Sequence, residues 1–374
     1  LDSGGIYFKT STDGITWSAE TEVWGGGGTY EFSVWWDGTY AHYARADFAA
    51  PIFYLYYRRF IPNADGTVTY SAAEQNPWTE VTPTFGDGLK DVQIVTENGK
   101  GFICFHFSDS PFLLETVHIY VIDNTVTDGT WVTGSLTELY TSAGTYPNTP
   151  VILPLGGSKL VCIVTDDGAT TKLIANYYNG VWMAPGAVEI LDLDGFCFTN
   201  ALNYNPHIIS GVASPDGTVF IACVVCVDNG DGTFSWYTEF TTWDSVSSFS
   251  AAIHLDNASS FDDASPAPKY CSITYDHNSG RVIVFKWETD NANNISYRIH
   301  DPVTNSWGSW RSLYIGLEIE KSYIQSFYET FGSPGIIGFQ YQDDISGDLH
   351  YISGVNPAGV FGSNISKLLA AGVV

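Results

Sequence analysis

"HYARAD", residues 42–47, is a short run of aromatic and small residues closed by an aspartate. The phrase returns as "FHFSD" ending at Asp109, "CIVTD" at Asp166, "VVCVD" at Asp228, "FKWETD" at Asp290 and "FQYQD" at Asp343. The successive intervals are 62, 57, 62, 62 and 53 residues. Self-similarity at so steady a period is the mark of one structural unit repeated, and six copies predict six units. An apolar run and a turn precede the phrase, as in "EFSVWWDGTY" (31–40), "DVQIVTENGK" (91–100) and "CSITYDHNSGRV" (271–282). A run with paired aromatics follows it ("LYYRR", "HIYVI", "ANYYN", "WYTEF", "SYRIH"), and then a run marked by Tyr70, Trp131, Trp182, Phe249 or Trp310.

Val, Ile, Thr, Tyr, Phe and Trp crowd into these runs, while Gly, Asp, Asn and Ser separate them, which is strand and turn chemistry. Four short strands in a repeat of this length match a β-propeller blade. The sequence therefore predicts an all-β fold, a six-bladed β-propeller of four-stranded antiparallel blades, as a single domain over residues 1–374. Recurrent "DGT" at Asp37, Asp65, Asp128, Asp216 and Asp231 supplies tight hairpin turns in which Gly accepts a positive φ.

The two ends of the chain are unequal. "IYFKTS" and "TDGITWS" read as a third strand, a turn and a fourth strand, with no first or second strand before them. Near the other end, "KSYIQSFYETFG" and "IIGFQYQDD" read as a first and a second strand. Residues 1–25 are thus expected to act as a closing hairpin that completes the last blade and seals the ring, leaving 356–374 as a C-terminal tail. "DLHYISG" (348–354) also reads as a third strand, giving seven third strands against six second strands, so seven blades is the alternative.

Within the opening hairpin, Ser11, Asp13, Gly14, Thr16 and Trp17 resemble the Asp-box, or BNR repeat, of the sialidase-like superfamily, with one residue fewer between the Asp and the Gly. The resemblance implies a structural turn between third and fourth strands, remote from any active site. It also implies what an active member would carry: an arginine triad, a Tyr and Glu nucleophilic pair and an Asp acid/base. Of the six arginines (Arg45, Arg58, Arg59, Arg281, Arg298, Arg311), Arg45 alone falls at the exit of a second strand, so the triad is not expected.

The formal net charge is −26, from 15 Lys plus Arg against 41 Asp plus Glu. Such a surface repels phosphate backbones and anionic lipid, which argues against nucleic acid and bare membrane and leaves cations, neutral glycans or basic protein patches. The chain begins at Leu1 with no leader before it and reads as processed or trimmed; no apolar run reaches membrane-spanning length, so a soluble protein is expected. Six scattered cysteines (Cys104, Cys162, Cys197, Cys223, Cys226, Cys271) fit buried thiols in strands, or one or two disulfides; "CVVC" at 223–226 lies in a strand pattern and is not read as a redox site.

If the second strands run in register, Asp47, Asp109, Asp166, Asp228, Asp290 and Asp343 share one level and form a candidate ligand-binding ring, able to hold Ca²⁺ through oxygen ligands or to accept from sugar hydroxyls. Crowded carboxylates could also yield a general acid, which makes Asp47, Asp109 and Arg45 the catalytic candidates for a glycoside hydrolase. Against this stands the ordinary preference of Asp for strand ends, copied by repeat duplication. Trp35, Trp36, Tyr43, Phe48, Trp287 and Tyr341 are either stacking platforms for sugars or packing between sheets. His42, His106 and His118 show no metal spacing and read as satisfied strand histidines, and "DNGDGT" (228–233) reads as a hairpin turn. The expected function is a non-catalytic, extracellular or surface-displayed module for glycan or protein recognition, or an assembly subunit or homo-oligomer. A sialidase-like glycoside hydrolase is the alternative.

Overall fold

The second-strand phrases carry apolar or small side chains at almost every position, not at every other one, and the structure shows why. In Lys100–Ser108, Phe102, Ile103, Cys104, Phe105, His106 and Phe107 are all buried, because the strand has packed layers on both faces. Third strands alternate instead: Ile52–Pro62 buries Phe53, Leu55 and Tyr57 and leaves the residues between them half-buried.

The computed structural model describes residues 6–10, 18–25, 29–49, 52–63, 65–81, 89–108, 116–131, 135–143, 150–167, 171–183, 189–192, 209–229, 231, 233–245, 248–256, 259–261, 269–288, 294–314, 321–326, 336–343, 349–355 and 365–366. Among them every regular element is a strand, and every strand pairing with a described register is antiparallel. The Asp-box residues Ser11, Asp13, Gly14, Thr16 and Trp17 lie outside the described residues.

Among the described residues, six sheets of four or more strands follow one another as meanders in chain order. The first is Thr29–Trp36, Ala41–Ala49, Ile52–Pro62 and Val68–Tyr70; the second is Leu89–Glu97, Lys100–Ser108, Thr116–Thr127 and Thr130–Trp131. The third is Val151–Gly156, Lys159–Asp167, Thr171–Asn179 and Glu189–Asp192; the fourth is Ile209–Ala213, Val219–Asp228, Phe234–Asp244 and Ser248–Phe249. The fifth is Lys269–Asp276, Arg281–Glu288, Asn294–Asp301 and Ser306–Trp307; the sixth is Lys321–Ser326, Ile336–Asp343, Leu349–Val355 and Ile365–Ser366. The chain divides into two compact units, Leu1–Asp166 with Ala175–Val188 and Gly372–Val374, and Asp167–Ile174 with Glu189–Ala371, the division falling inside the third sheet.

Two details differ from the expected four-strand repeat. In four sheets the fourth strand is broken into pieces that pair different parts of the third strand. Ile52–Pro62 pairs Val68–Tyr70 along one half and Gln75–Val81 along the other. Pro77 is tolerated in Gln75–Val81 because that strand lies at a sheet edge, where a missing N–H costs no ladder bond. In the fifth sheet the fourth-strand aromatic is Trp307, paired with His300; Trp310 lies beyond it and donates its indole N–H to the Leu255 carbonyl at 2.8 Å.

The surplus third strand is also resolved. Leu349–Val355 pairs Ile336–Asp343 and, with Ile365–Ser366, takes the third and fourth places of the sixth sheet. Ile6–Phe8 pairs Thr21–Trp24 in a two-stranded sheet of its own. Ile6 and Val23 pack with Ala41, Tyr43 and Phe60 of the first sheet. This pair sits on the first sheet as the first sits on the second. Ser18 N–H donates to the Thr10 carbonyl at 2.9 Å, and Ser71 N–H to Arg59 at 3.3 Å. Gly66 and Gly129, both with positive φ (84° and 77°), bring the next hairpin turn against those serines; a Cβ on Gly66 would meet Ser18 Cβ at 2.9 Å, and one on Gly129 would meet Ser71 Cβ at 2.6 Å. The described partner of Ile6–Phe8 is thus Thr21–Trp24, whereas "TDGITWS", expected as the fourth strand, lies outside the described residues apart from Ser18.

The "DGT" turns form as their residues predict. Asp65 Oδ1 accepts from the Thr67 N–H and hydroxyl, Asp231 accepts the same pair from Thr233, and Asp216 accepts from Thr218 N–H. "DNGDGT" is therefore a hairpin turn, closed by Asn229 N–H on the Thr233 carbonyl.

Candidate functional site

Of the six phrase-ending aspartates, Asp47 is the one whose side chain is described. Asp166, Asp228 and Asp343 end or nearly end second strands, as expected, with their side chains outside the described residues; Asp109 and Asp290 lie wholly outside them. Among the described residues no group of three or more His, Cys, Asp or Glu could hold a metal ion such as Ca²⁺.

Asp47 belongs to a constellation that the sequence only half showed. Residues two apart on a strand share a face, so Tyr43, Arg45 and Asp47 of Ala41–Ala49 point the same way. Arg45 is buried and forks onto Glu74, with Nε donating to Oε1 at 2.9 Å and Nη2 to Oε2 at 2.7 Å; Nη1 donates to Asp47 Oδ2 at 2.9 Å. Its guanidinium is sandwiched between Trp24 and Tyr56, 4.1 and 4.0 Å from the ring centroids. Burial would lower the Arg45 pKa, but the two carboxylates outweigh it and hold it above its ordinary value. Tyr43 donates its hydroxyl to Glu74 Oε1 at 2.8 Å, and burial, reinforced by Glu74, holds that phenol well above its ordinary pKa. Asp47 Oδ1 accepts from Phe48 N–H at 2.8 Å. The Asp47 and Glu74 side chains stay 21% and 20% exposed, so both reach solvent while Arg45 does not.

The same face carries an exposed apolar stripe. Phe32, Val34 and Trp36 stand opposite Arg45, Tyr43 and Ala41 in the register of the first sheet and are 55%, 52% and 50% exposed. The other face of that strand is used up by packing: Trp35 Nε1 donates to Thr96 at 3.1 Å, and the Ser33 hydroxyl accepts from Ile94 N–H. In the second sheet the first-strand residues Val92 and Ile94 are buried in the cluster shared with the first sheet.

The other expected platforms divide accordingly. Trp36 is exposed, whereas Tyr43 and Trp287 are buried and Trp35 and Phe48 pack against the core; the side chain of Tyr341 lies outside the described residues. The strand histidines are engaged. His106 Nδ1 faces Asp91 at 3.4 Å, and His118 Nδ1 lies 2.5 Å from Glu138. His42 bridges Asp37, 2.8 Å from Nε2, and the Tyr57 hydroxyl, 2.9 Å from Nδ1. Burial lowers the His42 pKa below 6.5 despite the pull of Asp37, so the neutral ring donates to Asp37 and accepts from Tyr57. Burial would raise the Asp37 carboxyl, but the Tyr40 N–H, His42 and the Thr39 N–H together hold it below 3.8. Both folded-state values are depressed, so their stabilisation is complete above the unfolded values and is lost as pH falls: first from about 6.5 for His42, then below about 4 for Asp37. Urea midpoints are expected to drop between pH 7 and 5, and a His42→Gln variant to lose that part of the drop.

The second unit holds a comparable knot that the sequence did not flag. Lys286 Nζ meets Asp256 Oδ2 at 2.9 Å and lies 4.5 Å from the Trp310 centroid; Asp256 Oδ1 accepts from Thr238 N–H at 2.8 Å. Both charges are nearly buried, which fits a structural tie.

No family model and no curated protein matches the chain. Among solved structures it is similar to the α-L-arabinanase of Penicillium chrysogenum complexed with arabinobiose, at 14% identity over 84% of this chain and 89% of that one, with a TM-score of 0.49. It is similar to the NanB sialidase of Streptococcus pneumoniae at 10% identity, over 95% and 70% of the two chains, TM-score 0.48. It is also similar to the fucose-specific lectin of Aleuria aurantia at 12% identity, over 91% and 96%, TM-score 0.43. Likenesses of this size carry no conclusion about what this chain binds.

Proposed function

We propose that the six meanders are blades of a β-propeller, with the N-terminal pair as the outer half of a seventh. We propose further that the chain is a non-catalytic, extracellular or surface-displayed module that recognises glycans. One observation carries the second reading: on one face of the first sheet, the exposed Phe32, Val34 and Trp36 adjoin two half-open carboxylates pinned by Arg45. A sugar offers hydroxyls for Asp47 and Glu74 and an apolar ring face for Phe32 and Trp36, the mixture of few polar groups and aromatic surface that small-ligand sites use. Hydrolysis asks for something else, an acid and a base or nucleophile set across the scissile bond. Here both carboxylates serve one guanidinium, which supports binding over cleavage.

The test is a glycan array and a hydrolysis screen on one purified sample, with and without EDTA. Binding without sugar release is expected, weakened tenfold or more by Trp36→Ala or Asp47→Asn. Released sugar would overturn the proposal and make this face an active site. Binding lost with EDTA alone would transfer recognition to a Ca²⁺ site elsewhere.

A further inference from the structure

Cys104 and Cys162 lie in the second strands of consecutive sheets, both fully buried, with their sulfurs 3.6 Å apart. Neither carries a disulfide in the structure. Two cross-links from the second sheet to the third hold this approach. Gln93, directly opposite Cys104, accepts from the N–H of Ile152, directly opposite Cys162, at 3.2 Å. At the adjoining turns, Asn98 donates to the Ser158 hydroxyl at 2.6 Å and Ser158 N–H to Glu97 at 3.0 Å. The thiols are therefore kept face to face by bonds between the neighbouring first strands and between the turns that lead from them into the cysteine strands. Closing to a covalent S–S length of about 2 Å requires the two sulfurs to cover the rest of that gap by side-chain rotation and backbone movement of their strands. The second unit offers a contrast: Cys271 directs its thiol to the Ala222 carbonyl at 3.5 Å.

We propose that Cys104 and Cys162 form a disulfide between the second and third sheets when the chain folds in an oxidising compartment. The oxidant is a small-molecule disulfide of the glutathione class. One cysteine thiolate attacks it, forming a mixed disulfide and releasing one small thiolate; the second cysteine thiolate attacks the protein sulfur of that mixed disulfide and releases the other. Two cysteine thiols lose two protons and two electrons, and one small disulfide becomes two thiols. Burial, aided by the Cys162 neighbour, pushes the Cys104 thiol up, so in the folded chain the thiolate is scarce and the reagent has no access. The bond therefore forms while the chain is still open.

The experiment refolds the full chain from urea in reduced and oxidised glutathione, alkylates remaining thiols under denaturing conditions, and maps the linked peptides by mass. The expected result is a Cys104–Cys162 cross-linked peptide lighter by two hydrogens than the reduced pair. It should form slowly when the oxidant is added to already folded, reduced protein. The oxidised chain should also melt at a higher temperature than the reduced one, a difference abolished in Cys104→Ala. Because the peptide map is made on the unaltered chain, failure of the variant to fold leaves the test intact. Alkylation of both cysteines after oxidative refolding, or a link from either to Cys197, Cys223, Cys226 or Cys271, overturns the proposal.

Discussion

Arg45→Ala is expected to lose about 3–5 kcal/mol of stability, the cost of removing one partner from a buried ion pair. The guanidinium neutralises Glu74 and Asp47 together and fills the space between Trp24 and Tyr56. Alanine leaves Glu74 and Asp47 without the cation they share, with only the Tyr43 hydroxyl on the one and the Phe48 N–H on the other. Arg45→Lys should recover little, since one ammonium cannot fork onto Glu74 and reach Asp47, and it stacks poorly between two rings. The triple change Arg45→Met, Glu74→Gln and Asp47→Asn should cost less than Arg45→Ala alone, because it removes the uncompensated charge along with the pair. Urea unfolding followed by tryptophan fluorescence measures all three, with Trp24 as a local reporter. A loss below about 1 kcal/mol for Arg45→Ala would class the constellation with exposed ion pairs and refute the buried-tie account.

Phe105→Ala should be comparably damaging, at about 3–5 kcal/mol. Its ring is fully buried between the first and second sheets, 4.9 Å from Trp78 and 5.8 Å from Tyr120, in the cluster with Leu55, Tyr57, Val92 and Ile103. A close-packed core cannot collapse onto such a void without moving both sheets. Phe32→Ala is the matched control, the same substitution at a half-exposed position, expected within about 0.5 kcal/mol of the parent chain. Equal losses at the two positions would contradict the burial assigned to them. Glycan binding should respond in the opposite sense, weakened by the change at Phe32.

The recurring phrase exposed the repeat because strand and turn chemistry is local. An aspartate two residues before a threonine can accept its N–H whatever the rest of the chain does, and Asp65, Asp216 and Asp231 all do so. The site was legible only in part. Arg45 and Asp47 stand two apart on one strand, so their shared face follows from the period of a strand. Glu74 sits in "SAAEQNPW", an irregular link before the second piece of a broken fourth strand, and nothing periodic marks it. The aromatics misled for a related reason: Trp35 and Trp36 are neighbours in sequence, yet one packs inward with its N–H on Thr96 and the other stands half in solvent.

By itself, then, the sequence determined the all-β class, the strand phrases and the turns, because each follows from backbone preference and side-chain alternation within a few residues. The tertiary structure decided what those preferences cannot encode. It placed Leu349–Val355 in the sixth sheet and left the opening pair as a sheet of its own. It brought Glu74 onto Arg45 and Cys104 against Cys162, and it left Phe32, Val34 and Trp36 uncovered while burying Val92 and Ile94. Each of these outcomes is set by which sheet face meets which, a long-range packing choice made among many segments of equal local propensity.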